Sequence, residues 1–337
     1  MDGKLMASEM AEQPERLAAL IKARDRVACE VAPLFAGAQG TVVVARGSSD
    51  HAATTGRYLL EMATGRPVAS ASPSVYTLYG AEVDFGGYVV IGVSQSGRTP
   101  EISTVLAMAS ARGARTVALT NDTDSPLASS AEVVVQLMAG EEQAVPATKT
   151  VTAELVAFAM IASSISGDPG KRAWERLPAQ AAAVLADDGP PTVLAEWLAE
   201  TDLLTTMARG LLSGAAAETA LKLQETSSIL AAAFPAADLR HGPIALASRG
   251  IGVLAFAHPG PALSDVTSLA GELTSRGADV RLIGPVPGSV FGWAADAPEM
   301  FAPVLAVVRG QQLALRTALR LGFDPDRPAG LTKVTAT

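Results

Sequence analysis

Cysteine is almost missing from this chain. Cys29 is the only one among 337 residues, which excludes an intramolecular disulfide framework and a thiolate metal cluster. Lying in an Ala/Val-rich helical stretch, that thiol is expected to be a packing residue. Histidine is nearly as rare: His51, His241 and His258 are the full set, and none has the partner spacing of a zinc site. Neither a metal nor a cofactor is therefore expected. His51, at a helix start, reads as structural or as part of a pocket rim, and His258 stays unassigned. Aromatic residues make up only 4%, whereas hydrophobic residues reach 49%. That balance favours helices packed on parallel sheets over an aromatic-rich β-sandwich. Basic residues are too few for a general nucleic-acid binder, since the formal net charge is -8. A small anionic ligand, which needs only a local site, is not excluded. No apolar run approaches the roughly 20 residues of a membrane span. The opening "MDGKLMASEMAEQPERL" also lacks the apolar core of a signal peptide. A soluble, cytoplasmic protein with no membrane or nucleic-acid partner is expected.

What is present is α/β grammar, written twice. The first 30 or so residues read as one helix, with Leu17, Leu20, Ile21 and Val27 at helical spacing. A strand at Thr41 to Ala45, a polar loop and a helix ending near Gly65 come next, then a strand at Tyr88 to Val93, a second polar loop and a helix to about Gly113. Strands in "ARTVALTND" and "AEVVVQL" precede a long helix from about Thr148 to Ser166. Continuous rather than alternating apolar strands indicate a parallel sheet covered on both faces. "GDPGKRAWERLP" reads as a linker and "ADDGPP" as a further break. Then the pattern restarts: Ala208-Arg209-Gly210 matches Ala45-Arg46-Gly47 at an offset of 163 residues, and Phe256 to Gly260 falls on Val93 to Gly97 at the same offset. The expected organisation is a helical segment at 1–30, an α/β domain at 31–168, a linker or helix at 169–195, a second α/β domain at 196–325 and a tail at 326–337.

The two copies differ where chemistry would sit. "RGSSD" places Ser48 and Ser49 at one strand end, and "SQSGRTPE" places Ser94, Gln95, Ser96 and Thr99 at another. In the second copy Ser48 and Ser49 become Leu211 and Leu212. Ser94, Gln95 and Ser96 become Ala257, His258 and Pro259, and Thr99 becomes Ala262. Loops at the carboxyl ends of parallel strands open onto ligand crevices. A helix starting there aims unpaired N–H groups and a positive dipole end at the crevice. Thr99 suits the N-cap, Pro100 the first helical position, and Gly97 a close approach of backbone to ligand. Serines and threonines also favour turns for their own sake. Two such loops, both stripped of hydroxyls in the duplicate, favour a phosphate monoester site. There is no Walker A spacing, and neither strand-end loop reads Gly-x-Gly-x-x-Gly, which argues against a nucleotide.

Candidate reacting groups lie further on. Lys222 and Glu225, three apart, share a helix face, where a solvated ion pair is the ordinary expectation. His241 precedes Gly242-Pro243, a turn signal that puts its imidazole in a loop. Lys333 lies in a carboxyl-terminal tail with β-branched residues, where a lysine is ordinarily solvated.

"SQSG" with a threonine two residues on, "ATK", "ALKLQE", "RHGPIAL" and "PAGLTKVT" resemble, in order, the sugar-isomerase (SIS) family. The likeness is to the isomerase half of glucosamine-6-phosphate synthase and, more closely, to the stand-alone SIS-type deaminases of glucosamine 6-phosphate. It spans essentially the whole chain. The resemblance implies two tandem flavodoxin-like or Rossmann-like SIS domains and a hexosamine or hexose 6-phosphate substrate. It implies a phosphate site at Ser49, Ser94, Gln95, Ser96 and Thr99, with Ser48, Val145 and Ala147 also among the substrate-binding candidates. It makes Glu225 the base moving a proton between C1 and C2, accompanied by Lys222. His241 becomes the ring-opening residue, reaching in from a neighbouring subunit of a homodimer, and Lys333 the lysine near the carbonyl carbon. Enolisation does need a carboxylate within reach of both carbons, and ring opening a proton shuttle near neutral pH. A lysine beside a carbonyl can form a Schiff base or stabilise an oxyanion.

Two departures stand out: Ala147 replaces the serine of the synthase's Ser-Thr-Lys, and Arg98 replaces a glutamate. The synthase draws ammonia from a glutaminase domain with an amino-terminal cysteine. Here the chain begins Met1-Asp2 and its only cysteine is Cys29, so no such domain is expected. Deamination of glucosamine 6-phosphate to fructose 6-phosphate and ammonia is the expected reaction. Alternatives are phosphosugar isomerisation, deamination of the galactosamine epimer, ammonia-dependent synthesis, or a non-catalytic sugar-phosphate sensor. The last ordinarily carries a helix-turn-helix, for which the short acidic amino terminus has no room.

Overall fold

The computed structural model describes residues 3–333, so the β-branched end of the tail, Val334 to Thr337, lies outside the described residues. The chain divides into two compact units. The first comprises Glu15–Glu142, Lys149–Glu175 and the tail from Thr332. The second comprises the chain up to Pro14, Gln143–Thr148 and Arg176–Leu331.

The amino-terminal helix expected from periodicity is two helices, α1 (Lys4–Ile21) and α2 (Arg24–Phe35), parted where Ala23 turns to φ -83°, ψ 0°. On α2 the buried stripe is Val27, Val31 and Leu34. Cys29 lies two residues past Val27, about 200° around the helix, and is exposed. The packing role expected of it is therefore corrected. The first unit continues with β1 (Gly40–Val44), α3 (Ser48–Thr64), β2 (Val68–Ser70), the short α4 (Pro73–Thr77), β3 (Tyr88–Val93) and α5 (Pro100–Ala111). After these come β4 (Arg115–Thr120), the short α6 (Pro126–Ser129), β5 (Val133–Gln136) and α7 (Lys149–Ile165). All strand pairs are parallel, in the order β2-β1-β3-β4-β5. Five consecutive residues of β3, Val89 to Val93, are buried, the mark of a strand covered on both faces. The helix α7 is buried from Lys149 to Ala162 and is a core helix rather than an amphipathic one. It packs so closely on α3 that a Cβ at Gly56 would collide with the Phe158 ring.

The segment expected as a linker or helix folds as α8 (Lys171–Ala186). Its Gly-Asp-Pro-Gly punctuation ends before the helix, and Trp174, Leu177, Ala181 and Val184 form a buried stripe at helical spacing. Then come α9 (Gly189–Ala199), β6 (Leu204–Ala208), α10 (Ser213–Ser227), β7 (Ala231–Pro235), the short α11 (Ala236–Arg240) and β8 (Gly252–Phe256). The second unit closes with α12 (Leu263–Ser275), β9 (Asp279–Ile283) and α13 (Ala302–Leu321). Its four parallel strands lie in the order β7-β6-β8-β9. The 163-residue offset carries β1, β2, β3 and β4 onto β6, β7, β8 and β9 to within a residue or so, and α5 onto α12. The duplication read from the sequence is thus a duplication of fold: two α/β units, each a parallel sheet with helices on both faces. Among the described residues, no helix is long and apolar enough to cross a membrane.

Candidate active site

In the first unit, β1 and β3 pair in parallel with Val44 opposite Gly92, so the loops after them leave side by side. In a sheet of order 2-1-3-4-5 this pair flanks the point where the chain changes direction of growth, and the crevice opens at the carboxyl ends of its strands. Both helices leaving these loops begin at that edge. The helix α3 starts at Ser48 after Gly47 (φ +57°), which places Ser48 and Ser49 in its first turn, with Ser49 half-buried. The helix α5 starts at Pro100. The Ser48 and Ser49 N–H groups have no acceptor within α3. The helix α5 opens on Pro100, which has no N–H, and Ile102 N–H donates to the Thr99 carbonyl, so α5 adds the Glu101 N–H to this setting for an anion.

The turn from Ser94 to Thr99 is held by its own hydroxyls. The Gly97 N–H donates to the Ser94 carbonyl at 3.1 Å and lies 3.2 Å from Ser94 Oγ, while Arg98 N–H donates to Ser96 Oγ at 3.2 Å. Thr99 occupies the N-cap position of α5 in extended geometry, but its hydroxyl does not cap the helix. It lies 3.3 Å from Ser94 Oγ instead, so two hydroxyls meet inside the loop. The Gln95 carbonyl is fixed from the next strand by Asn121 N–H at 3.0 Å and Thr120 Oγ1 at 3.3 Å, and Gln95 is half-buried. Gly97 takes φ +63°, and a Cβ there would collide with Ser125 Oγ. The glycine is required by backbone conformation and by packing on Ser125.

Charge around this crevice is balanced. Arg46, leaving β1, pairs with Glu101 in the first turn of α5 at 3.0 Å. Arg98, where the synthase has glutamate, pairs with Asp122 at 2.8 Å. Asp122 is held below the usual carboxylate range by the Asp124 N–H and then by Arg98. Ser49 Oγ donates at 2.7 Å to Glu154, a fully buried carboxylate of α7. That commits the Ser49 hydroxyl hydrogen inward and leaves the backbone N–H of α3 as the donor this turn offers an anion. Lys333 is not solvated as a terminal lysine was expected to be: its ammonium donates at 2.8 Å to Glu142. The Glu142 side chain is wholly buried and also accepts from Thr150 Oγ1 at 2.8 Å and Thr150 N–H at 3.2 Å.

In the second unit, α10 carries the candidate base. Lys222 is 1% exposed, which corrects the solvated pair expected from spacing alone. Its ammonium lies 2.5 Å from Glu225 and 3.4 Å from Glu218. Burial works against the charged amine, but Glu218 first and Glu225 second outweigh it and raise the Lys222 pKa above the ordinary value. Lys222 is therefore an ammonium at neutral pH. Glu218 is as buried as the lysine, whereas the Glu225 side chain keeps 21% of its surface, so it is the member of the trio that solvent or substrate can meet. His241 caps α11 in an exposed turn, with Gly242 next to it at φ +141°. Val145 and Ala147 are half-buried, and Val145 N–H donates to the Asp326 carbonyl at 3.2 Å. His258 is buried: its Nδ1 accepts from the Trp293 indole at 3.1 Å, so its Nε2 carries the hydrogen given to the Ala297 carbonyl. Burial pushes its pKa down, partly offset by that carbonyl.

Three carboxylates were missed by reading residues singly. Glu218 was legible as the i−4 partner of Lys222, and Glu154 as a lone charge in the apolar run "TVTAELVAF". Glu142, in "GEEQ", carried no such signal. Among the described residues, no group of three or more His, Cys, Asp or Glu side chains is arranged to hold a metal ion.

Similarity to known proteins follows the same division into copies. Residues 34–164 and 198–297 match the SIS domain. The chain is 35% identical to a glutamine–fructose-6-phosphate aminotransferase (isomerizing) of Gloeobacter violaceus, over 97% of this chain and 58% of that protein. It is 32% identical to the enzyme so named from Aeropyrum pernix, over 97% and 56%. It thus spans a little over half the length of these curated relatives. Among solved structures, the carboxyl-terminal domain of the glucosamine-fructose-6-phosphate aminotransferase of Francisella tularensis superposes with a TM-score of 0.86 at 25% identity, covering 96% of this chain and 98% of that one. A Silicibacter pomeroyi protein assigned as a phosphosugar isomerase gives 0.85 at 32%, covering 96% and 99%. The glucosamine-6-phosphate deaminase of Thermotoga maritima, at 22% identity, shares the fold with a TM-score of 0.78 over 99% and 100%. With both α/β units matched and relatives of 32–35% identity aligned over 97% of this chain, the chain belongs to the SIS domain family.

Proposed function

We propose that the protein is an aldose–ketose enzyme of sugar phosphates, and specifically a deaminase that converts glucosamine 6-phosphate and water to fructose 6-phosphate and ammonia. The observation that carries this reading is the trio on α10: a buried ammonium, Lys222, fixes a partly exposed carboxylate, Glu225, with Glu218 balancing it from behind. Such a carboxylate is a positioned base.

In the proposed sequence the turn at 94–99 and the first turn of α3 hold the phosphate through N–H groups and the hydroxyls of Ser94, Ser96 and Thr99, with Ser48, Ser49 and Gln95 beside them. His241 moves the proton that opens the sugar ring, supplied by the neighbouring subunit of a homodimer. Glu225 takes the proton from C2, exchanges it in part with solvent through its exposed edge, and delivers a proton to C1, which leaves an imine at C2. Water adds there and ammonia departs, so one water is consumed for each ammonia released. Lys333, aimed by Glu142, polarises the oxygen or nitrogen at the reacting carbons, and Val145 and Ala147 flank the sugar.

Incubation with glucosamine 6-phosphate in deuterated water tests this directly. Ammonia release with deuterium at C1 of the product supports it, and Glu225→Gln abolishes both. Mixing Glu225→Gln with His241→Asn chains restores activity if the imidazole crosses between subunits. A second reading, plain phosphosugar isomerisation, is favoured by the near end-to-end similarity to the Silicibacter pomeroyi protein. Interconversion of glucose 6-phosphate and fructose 6-phosphate without ammonia release would establish it. The galactosamine epimer belongs in the same assay.

A further inference from the structure

The duplicated fold lets one crevice be compared with its counterpart inside one chain. In the first copy, Arg46 at the end of β1 reaches Glu101 in the first turn of α5 at 3.0 Å. The residue 163 positions on from Arg46 is Arg209, and it makes the corresponding pair: its Nε lies 3.3 Å from Asp265, in the first turn of α12. Both pairs link the helix after one central strand to the end of its neighbour. The glycines are also kept, but the hydroxyls at the second crevice are gone. The positions of Ser48 and Ser49 are Leu211 and Leu212, only 8% and 5% exposed. The position of Thr99 is Ala262, whose methyl would lie 3.9 Å from a Cβ on Gly210. Hydroxyls that suit an anion have been replaced by apolar contacts, while the arginine–carboxylate pair has been kept.

The retained carboxylate has a second partner. Arg240 Nη1 lies 2.5 Å from the other oxygen of Asp265, and Arg240 Nε lies 3.7 Å from Glu272 further along α12, which Arg276 holds at 2.8 Å. Asp265 sits in the first turn of α12, where the helix dipole favours a negative charge. Arg240 is the last residue of α11, and His241 comes directly after it. On the other side of the turn Gly242 takes φ +141°, and both His241 and Gly242 are exposed. The five-residue α11 is anchored by Ala236 and Leu239 in the core. The exposed end bearing the imidazole is tied by the arginine before it.

We infer that the second strand-end crevice has been converted from a ligand cradle into a clamp, in which Asp265 and Arg240 are positioning residues for the His241 turn. The carboxylate retained at the start of α12 has taken on a second arginine, and that arginine, Arg240, sets the backbone from which His241 projects. The catalytic half of this inference rests on the ring-opening role proposed for His241. The structural half does not.

The test uses the full chain with Asp265→Asn, Arg240→Gln and the conservative Asp265→Glu. Amide hydrogen exchange over residues 238–244 reports the clamp whatever the reaction. Asp265→Asn and Arg240→Gln are expected to speed it several-fold with little change in Tm, and Asp265→Glu to leave it near wild type. Unchanged exchange in both disrupting variants would overturn the clamp. Where the wild type releases ammonia from glucosamine 6-phosphate, those variants are expected to lower kcat by between about tenfold and a hundredfold, as for a reacting group displaced by about 1 Å, with KM retained. Faster exchange with an unaltered kcat would reject the catalytic role of the clamp. A wild type that turns over no sugar phosphate would instead reject the functional reading and leave the exchange result to stand alone.

Discussion

Replacing Lys222 with methionine removes the ammonium from α10 while keeping most of its volume. Lys222 is 1% exposed and lies 3.4 Å from Glu218 and 2.5 Å from Glu225. Once it is gone, Glu218 remains as a buried carboxylate without its counter-charge. Breaking a buried pair in this way costs about 3–5 kcal/mol. Proton uptake limits the penalty: at pH 7, protonating a glutamate of ordinary pKa near 4.3 costs about 3.7 kcal/mol, at 1.36 kcal/mol per unit. The expected loss for Lys222→Met at pH 7 is therefore close to 4 kcal/mol. Its pH dependence is the sharper test. In the variant the folded state holds a proton that the unfolded state releases, so stability relative to wild type recovers as pH falls, and by pH 5 roughly 1 kcal/mol of loss remains. Urea denaturation at pH 7 and pH 5, with slopes compared, reads both values. Adding Glu218→Gln to Lys222→Met is expected to recover most of the loss at pH 7. A deficit below about 0.5 kcal/mol at pH 7, the scale of an ordinary surface substitution, or one of equal size at both pH values, would refute the reasoning.

Gly97→Ala forces a side chain onto φ +63° and against Ser125 Oγ. A stability loss of about 1–3 kcal/mol and a rise in KM for sugar phosphates are expected, by thermal melting and steady-state kinetics. Glu142→Gln leaves Thr150 a partner but removes the charge that holds Lys333. The expected result is a lower kcat with a small change in KM, and a tail that carboxypeptidase trims faster. His258 is buried with its pKa pushed below the ordinary imidazole value. The unfolded chain takes up that proton near pH 6.5 and the folded chain resists it, so stability from His258 is present above that pH and lost below it. Melting temperatures of wild type should therefore fall more steeply than those of His258→Asn as pH drops from 6.5 to 5.

The fold was legible because its signals are local and repeated. Uniformly apolar strands such as Tyr88–Val93 can only be central, and the polar loops after them mark their carboxyl ends. The recurrence of Ala-Arg-Gly and of the glycine at 97 and 260 gave the duplication an arithmetic offset that the strands obey. Reading failed where two local signals competed. Gly-Asp-Pro-Gly left 169–195 open between linker and helix despite the stripe from Trp174 to Val184, although such punctuation ends one segment without dictating the conformation of the next. Cys29 was judged by the composition around it rather than by its angle on the helix, which places it opposite Val27, Val31 and Leu34.

Hydroxyls, two amines, an imidazole and the carboxylate of Glu225 stand out in the sequence as site candidates, but the carboxylates that hold three of them do not. Ser49 rests on Glu154, Lys333 on Glu142, and Lys222 on Glu218 as well as Glu225. The difference is physical. A reacting group has a residue type dictated by its chemistry and stands in a short motif. The residue that orients it needs only a charge and a position, and in two of these three pairs that position is more than a hundred residues away. The Arg46–Glu101 and Arg209–Asp265 pairs extend the point. Duplication preserved the scaffold interaction through a change of acid and a shift of one position along the helix, while the hydroxyls beside it were lost. An ion pair tolerates such substitution because it requires opposite charge at short range, whereas a phosphate cradle requires several donors at once and disappears when any two become apolar. Internal comparison of the copies therefore separates what both copies keep, the needs of the fold, from the hydroxyls particular to the first copy's loops, on which the proposed phosphate site rests.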